Sequence, residues 1–163
     1  MNIGLQKLVD QGFMTEEQAK YIDEAVENKS TIFVSGHKGW GILPLLATIG
    51  NMAKEKYSVK QVKGFDCLAD ATDCYIIAAP KETDMEQLVI KALANKGTNT
   101  IAIKDPDHPY SIMKALKSFY KETGDVTKTI EVLECAKVDD EKKLCKITRM
   151  TMVEGGKINK QDL

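Results

Sequence analysis

Three short apolar runs, each followed by a helical pattern, constrain this chain more than any other feature. Thr31-Ile32-Phe33-Val34, Cys74-Tyr75-Ile76-Ile77-Ala78-Ala79 and Thr100-Ile101-Ala102-Ile103 have strand length and no polar alternation, the pattern of strands covered on both faces of a parallel sheet. Between and after them come helical stripes: Leu45, Leu46, Ile49, Met52 and Ala53; then Met85, Leu88, Val89, Ala92 and Leu93; then Ile112, Met113, Leu116, Phe119 and Tyr120. Alternation of this kind implies right-handed crossovers, and hence an α/β fold with a mostly parallel sheet and helices on both faces.

Local signals set the expected boundaries. Thr15 with Gln18 opens a helix as a capping box, carried on by Ala19, Ile22, Ala25 and Val26. A weaker strand is expected over 59–62, ending at Gly64. Thr83 with Glu86 reads as a second capping box, with Gly97 as the helix stop. Gly124 stops the next helix, and Asp107 is placed to act as its N-cap. The two β-rich stretches 129–138 and 144–153, joined by the polar 139–143 turn, read as a hairpin. Residues 1–153 are therefore expected to form one domain, with 154–163 a polar tail that frays.

Composition narrows the function classes. In 163 residues, 43% apolar with mean hydropathy −0.27, there is material for a core. No run of about 20 apolar residues suits a membrane span. The first residues lack the basic-then-apolar order of a signal peptide. Basic and acidic residues number 23 and 24, so no global charge points to nucleic acid. Among the basic residues only Arg149 is an arginine, which excludes mechanisms that need several guanidinium forks. Cys67, Cys74, Cys135 and Cys145 form no CxxC pair, and read as reduced, small hydrophobes of a cytoplasmic protein. No metal site is expected.

The loop after the first strand carries the chemistry. A glycine loop between a strand and a helix is the setting in which backbone N–H groups bind phosphate. Gly36-His37-Lys38-Gly39-Trp40-Gly41-Ile42-Leu43 puts both glycines of GxxxxGK[ST] in register, at Gly36 and Gly41. Ile42 stands where the phosphate-reaching Lys belongs and Leu43 where the metal-holding hydroxyl belongs. The candidate binding residues are thus Gly36, His37, Lys38, Gly39, Trp40 and Gly41. Lys38 either supplies a charge from inside the loop or is solvated. His37 and Trp40 either stack on a base or pack over the helix, and the apolar loop could equally serve as a docking patch.

Residues 28–52, with the 31–36 strand and then Gly39-Trp40-Gly41-Ile42-Leu43-Pro44-Leu45-Leu46, resemble the type II/IV secretion ATPases, the P-loop, RecA-like motors of secretion, pilus assembly and conjugation. Their stretch reads Ser-Gly-Gly-Thr-Gly-Ser-Gly-Lys-Thr-Thr and then Leu-Leu. Residues 8–15 resemble the segment leading into that motor domain, 73–88 its Walker B strand and helix, 97–116 its later strand, His box and helix, and the final hairpin its closing strands. The departures are as informative. Ala79 and Pro80 fall where the family has its Walker B Glu, and Ile103 or Lys104 where it has the His. The acidic stretch is shortened to 54–72, arginines are missing except Arg149, and the preceding N-terminal domain has no counterpart here.

Phosphoryl transfer depends on positioning and charge stabilisation, so loss of Lys, metal ligand, acid and arginines together removes the mechanism. The resemblance therefore implies no catalytic residue and a pseudo-ATPase, with protein partners, self-association or an active motor ATPase as what it binds, and no nucleic acid. Two alternatives stay open: a module that holds ATP or another nucleotide or phosphate without hydrolysis, and an active ATPase that uses Lys38 with Glu82 or Asp84. Asp105, Asp107 and His108 read either as a sparse metal or acid–base cluster or as turn chemistry. Ser35 and the cysteines lack the partners of nucleophiles.

Overall fold

Five strands, β1 (Thr31–Ser35), β2 (Val59–Gln61), β3 (Cys74–Ile77), β4 (Asn99–Lys104) and β5 (Thr129–Val138), run parallel in the order β2-β3-β4-β1-β5. The computed structural model describes residues 1–81 and 83–163. Two further strands, β6 (Glu141–Val153) and β7 (Lys157–Asp162), extend the sheet antiparallel beyond β5 to seven strands. The protein is thus an α/β fold, as the apolar runs imply. β1, β3 and β4 are buried almost throughout, which is why they show no polar alternation.

The helices are α1 (Ile3–Asp10), α2 (Glu16–Glu27), α3 (Ile42–Lys56), α4 (Met85–Leu93) and α5 (Ile112–Thr123). The crossover from β1 through α3 to β2 runs one way along the sheet, and those through α4 and α5 run back. Right-handedness then puts α3 on one face and α4 and α5 on the other. α1 and α2 pack on each other and on α3, while α4 packs on α5. Phe33, Tyr75, Phe119, Leu45, Ile49 and Leu88 are among the fully buried side chains between the layers, each stabilising the fold by about 1.5–3 kcal/mol through burial.

The Thr15–Gln18 capping box is complete, with Thr15 Oγ1 accepting from the Gln18 N–H and Gln18 Oε1 from the Thr15 N–H. Elsewhere the caps differ from expectation. α4 is capped by Asp84, which accepts from the Gln87 N–H, rather than by Thr83, and it ends at Leu93, ahead of Gly97. α5 is capped by Ser111; Asp107 is drawn instead into an ion pair with Lys38. Within the expected polar tail 154–163, Lys157–Asp162 forms β7, whose backbone pairs with β6 from Val153 to Thr148. Met150 and Met152 are buried, as core residues.

The hairpin turn is two residues long, since Val138 pairs with Glu141. Asp139 and Asp140 have φ of 50° and 64°, the left-handed geometry of a type I′ turn, which favours Gly at the second position. Asp140→Gly is expected to stabilise the protein by about 0.5–1 kcal/mol, because αL backbone disfavours side chains. A urea midpoint unchanged or lowered in that variant would contradict the turn geometry.

Candidate functional site

Adjacent strands β1 and β4 send their helices to opposite faces, so a crevice opens between their carboxyl ends. Open α/β sheets bind ligands at such a switch point. The loops after these strands meet there around a cleft of about 370 Å³ lined by Ser35, Gly36, His37, Trp40, Asp105 and Tyr110, among others. Beside it, a hollow of about 500 Å³ lies between the loops after β3 and β4, with Pro80, Asp84, Asp107 and His108 in its walls.

Gly36 continues β1, its N–H donating to Lys104 O at 3.1 Å. Its φ is 155°, and a Cβ there would stand 2.9 Å from both Cys135 O and Ile42 Cγ2. Only glycine fits between β5 and the start of α3. Trp40 N–H closes the turn onto His37 O at 3.2 Å. The Trp40 ring is half-buried against the core, and the exposed His37 ring lies against it, centroids 4.3 Å apart. Gly39 faces open space. Lys38 reaches away from the loop to pair with Asp107, and each raises or lowers the other in the sense of a salt link: hydrogen bonding to Asp107 holds the ammonium above its usual range, and Lys38 holds the carboxyl below its own.

Ile42 and Leu43 decide what the loop can do. Ile42 is 1% exposed, and its Cγ2 lies against Gly36, where it would meet any added Cβ. Leu43 turns outward, 55% exposed, at the rim of a groove that includes Leu46, Gly50 and Ile76. α3 begins at Gly41 with φ 91° and no side-chain cap. Phe13, from the turn between α1 and α2, closes over that end: a Cβ on Gly41 would collide with Phe13 Cε1. The ring is 5% exposed and its backbone is pinned, for Phe13 O accepts from Leu144 N–H at 2.8 Å and Gly12 O from Lys143 Nζ at 2.6 Å. At the start of α3, Phe13 thus packs on Gly41, and Ile42 is buried against Gly36. Phe13 was invisible as a site residue in the sequence, because nothing local ties position 13 to position 41.

Asp105 and His108 are brought together in the loop after β4, while Asp107 pairs with Lys38. Asp105 Oδ1 accepts from the backbone N–H of His108 at 2.9 Å and lies 2.7 Å from His108 Nδ1, fastening the loop after β4 to itself. Among the described residues no group of His, Cys, Asp or Glu is arranged to hold a metal ion. Tyr110 donates to Ile103 O, and burial pushes its phenol well above the ordinary range. Burial also pushes the thiols of Cys74 and Cys135 up to about 12, which leaves them protonated and unreactive at neutral pH. Ala79 is exposed past the end of β3. Of the two carboxylates considered as partners for Lys38, Asp84 caps α4 and Glu82 lies outside the described residues.

No protein-family model matches the sequence, and no curated protein matches it either. Among the described residues no helix is long and apolar enough to cross a membrane.

Proposed function

We propose that this chain is a catalytically degenerate, secretion-ATPase-like domain that serves as a cytoplasmic interaction or regulatory component of a secretion, pilus or conjugation apparatus and does not hydrolyse nucleotide. The single observation that carries this reading is Ile42 buried against Gly36, in the space a phosphate-binding lysine would need. The Phe13 cover over Gly41 and the diversion of Lys38 to Asp107 support it. A nucleotide triphosphate approaching α3 meets carbon where phosphoryl transfer needs cations.

Titration calorimetry with ATP, with and without Mg²⁺, and a phosphate-release assay test the proposal. No binding heat and no phosphate are expected. Micromolar, magnesium-dependent binding with turnover would overturn it. Binding without turnover would instead favour the nucleotide-holding module, and would stabilise the fold by about 2.7 kcal/mol at a hundredfold excess over Kd.

A further inference from the structure

Three lysines gather where β1, β4 and β5 begin, at the edge of the sheet opposite the glycine loop and one strand length from it (about 15 Å). A cleft of about 340 Å³ opens there, with Lys29, Lys96, Lys128, Asn99 and Asp125 among its lining. No aromatic ring and no leucine, isoleucine or valine lines it, so its walls are polar throughout. Asn99 is 6% exposed. Its Nδ2 donates to Ser30 O at 3.0 Å, and its Oδ1 is buried with no partner among the described residues.

α2, α4 and α5 all end at this edge, so their last carbonyls crowd it, and the lysines answer them in part. Lys128 Nζ donates to Thr98 O at 2.8 Å and to Asn95 O at 3.4 Å, and Lys29 Nζ donates to Gly97 O at 3.4 Å. The two ammoniums thus sit on consecutive peptide groups of the turn after α4. An ammonium has three N–H donors, so Lys128 keeps one unspent. The carboxylate partner of Lys29, Asp73, lies 3.5 Å away, and among the described residues neither Lys96 nor Lys128 has an ion pair. Burial holds the half-buried Lys128 ammonium below its ordinary range, with Asp125 opposing that fall and Lys29 deepening it. Lys29 also occupies, at φ 55°, the position after α2 where glycine usually closes a helix. Against three cations the lining sets one carboxylate, Asp125.

We propose that this cleft binds a small oxyanion, a phosphate or a phosphate monoester, between Lys29, Lys96 and Lys128. A dianion takes the unspent N–H donors in charge-assisted hydrogen bonds and offsets the repulsion between neighbouring ammoniums. With nothing apolar to seat a base, the cleft does not suit a nucleotide. The site lies apart from the glycine loop and does not depend on how that loop is read.

Thermal unfolding at constant ionic strength, with inorganic phosphate, glycerol phosphate or chloride as the added anion, tests the proposal together with titration calorimetry. Both phosphate compounds should raise the melting temperature by mass action, and chloride should not. The compound with the larger shift tells whether the ligand is free or esterified phosphate. Lys128→Met should weaken binding about tenfold or more, the loss expected for one hydrogen bond to a charged group. Lys96→Ala, a change at an exposed position, should weaken it by a smaller factor and tests the site even if Lys128→Met does not fold. Lys117→Ala on α5 should bind as the parent does. A melting temperature no higher in phosphate than in chloride overturns the proposal, as does binding unchanged in both cleft variants. So does binding of an oligonucleotide without either small anion. Binding lost in Lys38→Ala but kept in Lys128→Met would place the anion at the glycine loop, overturning this proposal and the silent-loop reading together. ATP turnover at that loop would overturn the loop reading alone.

Discussion

Replacing Arg149 by methionine is expected to lower the stability by about 2–3 kcal/mol, although the arginine side chain is 40% exposed. The cost falls on its partner. Glu131 on β5 is 0% exposed and accepts two hydrogen bonds at 2.8 Å, from Tyr21 Oη and from Arg149 Nε. Arg149 is its direct cross-strand neighbour on β6, and the guanidinium also lies over the Tyr21 ring, 5.3 Å from its centroid. Methionine keeps the aliphatic cover but leaves a buried carboxylate with a phenol as its one remaining donor of the two. Urea unfolding reads the loss. The double variant E131L/R149M should recover most of it, because a matched apolar pair avoids the desolvation that the ion pair offsets. A neutral R149M, or a double variant as unstable as the single one, would show that the cluster does not hold α2 to the sheet. Burial and the neighbouring Glu131 push the Tyr21 phenol well above its usual range. The folded state thus holds that proton more tightly than the unfolded chain, so its contribution is complete below about pH 10 and is lost as pH rises further.

This cluster also marks the limit of what the sequence reveals. Strands β1, β3 and β4 are legible because burial on both faces leaves an unbroken apolar run, and the Thr15–Gln18 box because both its bonds are local. Glu131, in contrast, reads as an ordinary surface charge within Thr-Ile-Glu-Val; its partners lie on α2 and β6, far along the chain. β7 escaped for a related reason. Lys157–Asp162 is polar on both sides, mostly exposed, and is a strand because β6 offers it a backbone edge, which no periodicity records. At Thr83 and Asp84, and again at Asp107 and Ser111, two good caps compete within a few residues, and tertiary contact decides. Lys38 takes Asp107, and Ser111 is left to cap α5. In the candidate site the glycines at 36, 39 and 41, all at positive φ, are readable from the sequence. The Phe13 cover was not, since it depends on how the turn between α1 and α2 is tied to β6.

Writing the full phosphate-binding motif into the loop should therefore fail to create nucleotide chemistry. In I42K/L43T the loop would read as an intact phosphate-binding motif, yet stability is expected to fall by about 3 kcal/mol or more, from lost burial and a desolvated ammonium. For a chain of this size that corresponds to a melting temperature lower by roughly 6–12 °C. Leu43 contributes little to the loss, being exposed; the single variant L43T should melt near the parent, which assigns the effect to Ile42. A lysine at position 42 would have its side chain beside Gly36, where Ile42 is now buried. Phosphate release by I42K/L43T should stay at the background of a buffer blank. If that variant instead melts with the parent and gains magnesium-dependent ATP turnover, the space around Gly36 is open rather than plugged. The chain would then be a motor domain two side chains short of activity, and the proposal of a silent scaffold would be wrong.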